Sequence, residues 1–123
     1  MGATLNIFLA ILLLSITHIA CAAPCGVSDI TIDQVKTGGV VEGKPEYEVT
    51  VSNKCQCAQS KVFLQCYGLS SVEPVDPRVI KPVDGERCIV GEGQLIPGGA
   101  RIKFKYAWMT PQDFPVVSSQ VLC

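Results

Sequence analysis

Past position 18 the chain contains no histidine, and its one imidazole, His18, lies inside an apolar N-terminal run. Without an imidazole the body of the chain lacks serine and cysteine triads, histidine-assisted nuclease centres and the usual zinc sites. A thiolate-only zinc site needs roughly four cysteines, and Cys55-Gln56-Cys57 places one residue where zinc knuckles place more. Gly91-Glu92-Gly93 has no following lysine and helix, so there is no phosphate cradle. An excess of one charge is missing too: ten Lys and Arg stand against eleven Asp and Glu, a net charge of -1 at pH 7. No polycation exists to attract nucleic acid. After the N-terminal run no apolar stretch is long enough to cross a membrane, which argues against insertion of the mature chain. No Asn-x-Ser/Thr acceptor occurs, and no stretch keeps a helical period. These absences predict a noncatalytic chain that needs neither cofactor nor metal.

What is present begins with the run Ile7-Phe8-Leu9-Ala10-Ile11-Leu12-Leu13-Leu14, which ends in the more polar Ser15, Thr17 and His18. It is too short for a membrane span and reads as a signal peptide over residues 1–22. Ala20-Cys21-Ala22 offers small residues where a signal peptidase reads, predicting cleavage after Ala22 with Ala23 as the alternative. Residues 23–123 then form a single secreted, extracellular (apoplastic) domain, since about 100 residues supply one modest core. Cys25, Cys55, Cys57, Cys66, Cys88 and Cys123 make an even set, and three disulfides are the economical reading in an oxidising compartment. Their pairing is not fixed by the sequence. Cys55 and Cys57 are too close along a strand to pair with each other, so each is expected to reach a different element. Cys123 predicts a carboxyl end stapled to the body.

Short strands separated by glycine and proline account for the rest. Ser28 to Gln34 reads as a strand ended by a turn at Thr37-Gly38-Gly39, and Glu46 to Val51 alternates, with Tyr47, Val49 and Val51 facing the core. Ser60 to Tyr67 carries large residues on both faces, which suits a central or partly covered strand. Pro74, Pro77 and Pro82 exclude a long helix or central strand from Gly68 to Glu86, predicting a long ordered loop between sheets. Arg87 to Val90, Arg101 to Tyr106 and Val116 to Leu122 complete the strands. The expected fold is all-β: a small antiparallel β-sandwich or open barrel of six or seven strands stapled by three disulfides.

Two surfaces are candidates for partner binding. Arg101, Lys103 and Lys105 alternate with the inward Ile102, Phe104 and Tyr106, forming a basic ridge suited to an acidic partner or an anionic polysaccharide. Trp108 follows it, and an aromatic beside cations is a composition that interface centres favour. A solvated strand face and a core tryptophan are the plain alternatives. The proline loop is the second surface, with Glu73, Asp76, Arg78 and Lys81 as its charged groups and a sheet crossover as its plain alternative. Tyr67 and Trp108 are the exposed-aromatic candidates for a sugar platform. Glu46 and Glu48, on one strand face, are read as solvation and edge protection in preference to a carboxylate pair for glycoside hydrolysis.

The frame Gly43-x-Pro45-x-Tyr47-x-Val49, Asn53-x-Cys55, Gln59-Ser60-x-Val62-x-Leu64-x-Cys66-x-Gly68, Asp76-Pro77, Arg87-Cys88-Ile89-Val90, Lys103-Phe104-Lys105-Tyr106-Ala107-Trp108 and Ser118-Ser119 with Cys123 resembles the plant tapetum determinant family. With only Gln56 between Cys55 and Cys57, it resembles a divergent branch. The resemblance implies a secreted, cysteine-rich ligand for the leucine-rich-repeat ectodomain of a plant receptor kinase, acting in developmental signalling such as anther and tapetum specification. The runner-up is an extracellular module that binds cell-wall polysaccharide.

Overall fold

Tyr47, Val49 and Val51 on one strand and Phe104 and Tyr106 on another are buried, while Arg101, Lys103 and Lys105, at the alternate positions of the second strand, are exposed. This period-two burial makes each strand a half-buried ribbon that needs a second layer. The computed structural model describes residues 25–123; the signal peptide and cleavage site expected from the sequence lie outside the described residues. Within them the strands are β1 (Ile30–Val41), β2 (Lys44–Asn53), β3 (Ala58–Gln65), β4 (Ile80–Pro82), β5 (Arg87–Val90), β6 (Arg101–Ala107) and β7 (Val116–Leu122), with short 3-10 turns at Val27–Asp29 and Gly91–Gly93. One sheet has the order β1-β2-β6 and the other β4-β5-β3-β7, and all pairings are antiparallel. Two separate sheets make the fold a sandwich and not an open barrel.

The core lies between the sheets. Val49, Val51, Tyr47, Phe104 and Tyr106 of the first meet Val62, Leu64, Ile80, Cys88 and Val90 of the second, with Ile96 and Phe114 entering from loops. Phe114 stands edge-on to Phe104 and to Tyr106, with ring centroids 5.5 and 5.6 Å apart, and Tyr106 stacks on Tyr47 at 5.3 Å. The Tyr106 hydroxyl donates to Gln34 Oε1 and accepts from the Gln112 N–H at 2.8 Å, so a phenol held in the core keeps its polar end paired. Burial pushes its pKa above the usual tyrosine value.

One end of the sandwich is held by polar and covalent links on a single segment. The buried Asn53 amide donates to the carbonyls of Cys57 (3.0 Å) and Ile96 (2.9 Å), and its Oδ1 accepts from the Cys55 N–H at 3.0 Å. Gln59, also buried, adds a bond from Nε2 to Asn53 Oδ1 and accepts from Ser119 Oγ at 2.6 Å. Disulfides then join Cys25 to Cys55 and Cys57 to Cys123, fixing both ends of the described chain to this segment, while Cys66–Cys88 ties β3 to β5. Cys55 and Cys57 therefore serve different partners, and the carboxyl end is stapled to the body.

Two local expectations are corrected. β1 does not stop at Thr37-Gly38-Gly39 but runs to Val41, and the turn falls at Glu42-Gly43. Thr37 to Gly39 instead marks a register shift between Lys36 and Val40, with Gly38 at φ 88°, so the glycines serve a bulge. The Gly68 to Glu86 segment does not cross between sheets: it leaves β3 and returns to the same sheet as β4. Pro82 fits there because β4 is an edge strand.

Candidate functional site

β6 is the outer strand of its sheet, so everything beyond it is open to whatever passes its edge. The segment after β3 does pass it. The Val72 N–H donates to the Ala107 carbonyl at 2.9 Å, and the Ala107 N–H donates to Ser71 Oγ at 3.0 Å, clamping the loop to the end of β6. Beyond this clamp the loop diverges and leaves a groove of about 350 Å³ between Lys103, Phe104 and Lys105 on one side and residues 73–76 with Val79 on the other. The two candidate surfaces are thus brought together: Lys103 and Lys105 from the ridge face Glu73 and Asp76 from the loop across one groove. Arg101 is exposed at the start of β6 and Lys81 is exposed on β4, neither lining the groove; Arg78 is exposed and paired with Asp76.

The electrostatics of the groove are mixed, because Glu48, Glu73 and Asp76 line it together with Lys103 and Lys105. In the β2–β6 register Lys105 stands opposite Glu48, Lys103 opposite Thr50 and Arg101 opposite Ser52. Lys103 Nζ lies 3.7 Å from Glu48 Oε1, a loose and partly exposed pair worth little in stability. Across the groove the Asp76 carboxylate is held below its usual range by the Arg78 side chain and backbone N–H, at 3.0 and 2.9 Å. Glu46 and Glu73 form a carboxyl pair at the clamped end. Thr37 Oγ1 donates to Glu46 Oε1 at 2.7 Å and, with the contact to Glu73, draws Glu46 down; burial and the neighbouring Glu46 push Glu73 up. Glu73 Oε2 is buried without a donor, so the two carboxyls bond only when one carries a proton.

A second cleft, about 440 Å³, opens at the other end of the same loop. Tyr67, 66% exposed, and the half-buried Trp108, which packs against the core, line it together with Gln65, Thr110 and Asp113. Tyr67, Gly68 and Leu69 all have positive φ, at 45, 83 and 54°, a conformation that turns the Tyr67 side chain away from the core. The Cys66 and Tyr67 N–H groups both donate to the Glu86 carbonyl, and the Cys66–Cys88 bridge pins this turn. Trp108 therefore belongs to this cleft and not to the groove beside Lys103. The roles of Glu48, Val75 and Val79 in the groove were not legible, because strand register and loop path place them there.

Among the described residues no cluster of three His, Cys, Asp or Glu side chains could hold a metal ion. No helix there is long and apolar enough to cross a membrane.

A family model described as Tapetum determinant 1, C-terminal, matches residues 26–123, which is the whole sandwich. The chain belongs to the tapetum determinant 1 family. TPD1 protein homolog 1 of Arabidopsis thaliana is 32% identical over 101 residues, covering 80% of this chain and 55% of that protein. TPD1 protein homolog 1A of Oryza sativa subsp. japonica is 30% identical over 99 residues, covering 74% of this chain and 44% of its own. The chain thus spans about half the length of these curated relatives. No solved structure matches it.

Proposed function

We propose that this member of the tapetum determinant 1 family is a secreted, noncatalytic ligand recognised by the leucine-rich-repeat ectodomain of a plant receptor kinase, in cell-fate signalling such as anther and tapetum specification. The observation that carries the reading is the family match across the entire sandwich. Its physical support is a small domain whose two ends are tied by disulfides and which carries an open groove lined by charged and apolar side chains. Preorganised surfaces of this kind lose little freedom on binding. Export fits three disulfides, which persist outside the cytosol. The test is binding of the oxidised protein, recovered from the medium of secreting cells, to a panel of plant receptor-kinase ectodomains. Saturable binding that disappears on reduction is the expected result; no binding across the panel overturns it.

A second reading rests on a different observation, the cleft that holds Tyr67 and Trp108 beside Gln65, Thr110 and Asp113. An exposed aromatic with polar neighbours suits a sugar ring, and in this reading the protein binds a cell-wall polysaccharide. Retention on wall polymers, lost on Tyr67→Ala without loss of fold, would favour it.

A further inference from the structure

The hydrogen-bond parity of β6 determines which backbone groups are already used. The Asn53 N–H donates to the Ala100 carbonyl, and the Trp108 N–H donates to the Pro45 carbonyl, one pair at each end of the β2–β6 ladder. In an antiparallel ladder bonded pairs alternate with unbonded ones, so Ile102, Phe104 and Tyr106 point their N–H and C=O groups toward β2. Arg101, Lys103, Lys105 and Ala107 point theirs the other way. Ala107 confirms this, since its N–H and C=O both meet the loop at Ser71 and Val72. Among the described residues no backbone partner is found on that edge for Arg101, Lys103 or Lys105. Three residues of ladder are therefore open; Lys103 and Lys105 line the groove, and Arg101 lies just outside it.

The side chains decide what can dock there. A second copy adding its own β6 antiparallel about Lys103 would set Lys103 against Lys103 and Lys105 against Arg101, and like charges directly opposite repel. The edge is thus guarded against itself. Lys105 already has Glu48 opposite in register and Glu73 across the groove. Arg101 and Lys103 stand opposite Ser52 and Thr50, with only Glu48 reaching Lys103. A docked strand is best matched by acidic residues beside Arg101 and Lys103. Its alternate side chains would turn inward, between Phe104 and the Val75 and Val79 wall.

We infer that the free edge of β6 is a strand-addition site for an extended segment of a partner polypeptide that alternates acidic and apolar residues. The segment extends the β1-β2-β6 sheet by one strand, bonding Arg101, Lys103 and Lys105 and stopping where the Ser71–Val72 clamp occupies Ala107. This rests on the proposal that the protein acts by binding another polypeptide, and it supplies the kind of surface that partner presents.

The test uses a short blocked peptide alternating glutamate with valine, and a control alternating lysine with valine, against the oxidised secreted protein. The acidic peptide is expected to bind at least about tenfold more tightly than the basic one. It should slow hydrogen exchange of the Arg101, Lys103 and Lys105 amides by about tenfold or more, leaving those of Ile102 and Phe104, already bonded to β2, unchanged. Lys103→Pro removes an outward N–H without touching the β2 ladder and should abolish binding. Should that variant fail to fold, Arg101→Glu with Lys103→Glu keeps every sheet bond and should reverse the peptide preference. Equal binding of both peptides, or protection that appears elsewhere, overturns the inference. A receptor ectodomain that binds the wild type and both variants alike also overturns it while leaving the receptor reading intact. Acidic-peptide binding with the expected protection, but no ectodomain binding, supports the edge and removes the receptor reading.

Discussion

Glu73 sits where a carboxylate is least comfortable, with one oxygen buried without a donor and a second carboxyl, Glu46, beside it. Its folded-state pKa is raised by burial and by Glu46, so the folded chain holds this proton more tightly than the unfolded chain does. A raised folded value means that the group's favourable contribution is complete below the unfolded value and is lost as pH rises through the folded one. Glu46 has the opposite sign, because the hydroxyl of Thr37 and the contact with Glu73 lower it; its contribution is present above the unfolded value and lost as pH falls. Glu73→Gln fixes the protonated shape and can donate to Glu46. It is expected to raise Tm at pH 7, with the gain shrinking to nothing near pH 4, about the value of an unperturbed glutamate. Thermal melts of both proteins from pH 4 to 8 check this, and a gain constant across that range would contradict the pairing. Asn53 is the contrasting residue, a buried amide whose oxygen and nitrogen are all used, so it holds one geometry at every pH.

The β1–β2 hairpin shows how an element can be right in kind and wrong in extent. Gly38-Gly39 has the composition of a turn, yet the chain uses it to insert extra residues into β1 and to bend the ribbon before Val40 pairs with Pro45. A side chain at Gly38 meets no atom within 4 Å, so the cost of Gly38→Ala is backbone strain alone at φ 88°. That substitution is expected to destabilise the protein by about 1–2 kcal/mol, read as a lower denaturant midpoint at unchanged m-value. β2 and β6 were legible because each alternates, and the inward Phe104 and Tyr106 followed directly from that period; β7 was legible as the stretch that follows Pro111 and Pro115. β4 was not, since three residues containing a proline become a strand only because β5 lies beside them. The groove was half legible: its cations and its loop charges were each visible in sequence. That they face one another depends on Val72 bonding to Ala107, a contact between residues far apart in the chain.

At the scale of the molecule, the two disulfides on the Cys55 to Cys57 segment gather both ends of the described chain at one end of the sandwich, beside the start of β6 at Arg101 and at the other end of that strand from the clamp on Ala107. Cys57–Cys123 spans 66 residues and anchors β7, which is an edge strand of its sheet and pairs only with β3. Closing a loop of that length restricts the unfolded chain by about 4 kcal/mol, a large share of the roughly 5–15 kcal/mol that holds an ordinary domain together. Replacing both cysteines by serine (Cys57→Ser with Cys123→Ser) removes the tie without leaving a reactive thiol. The carboxyl end should then fray first, because Val121 and Leu122 keep only their ladder bonds to Gln59 and Ala58. Hydrogen exchange should quicken through β7 and the end of β3 it pairs with, while β2 and β6 keep their relative order of protection. Denaturation should show a loss near the loop-closure value. A variant as stable as the wild type would mean that the Asn53, Gln59 and Ser119 bonds alone fix this end of the sandwich. Faster exchange spread evenly over both sheets would mean that the domain opens only as a whole. Selective fraying of β7 would show that the disulfide secures one edge of the molecule and that β6, in the other sheet, stays ordered without it.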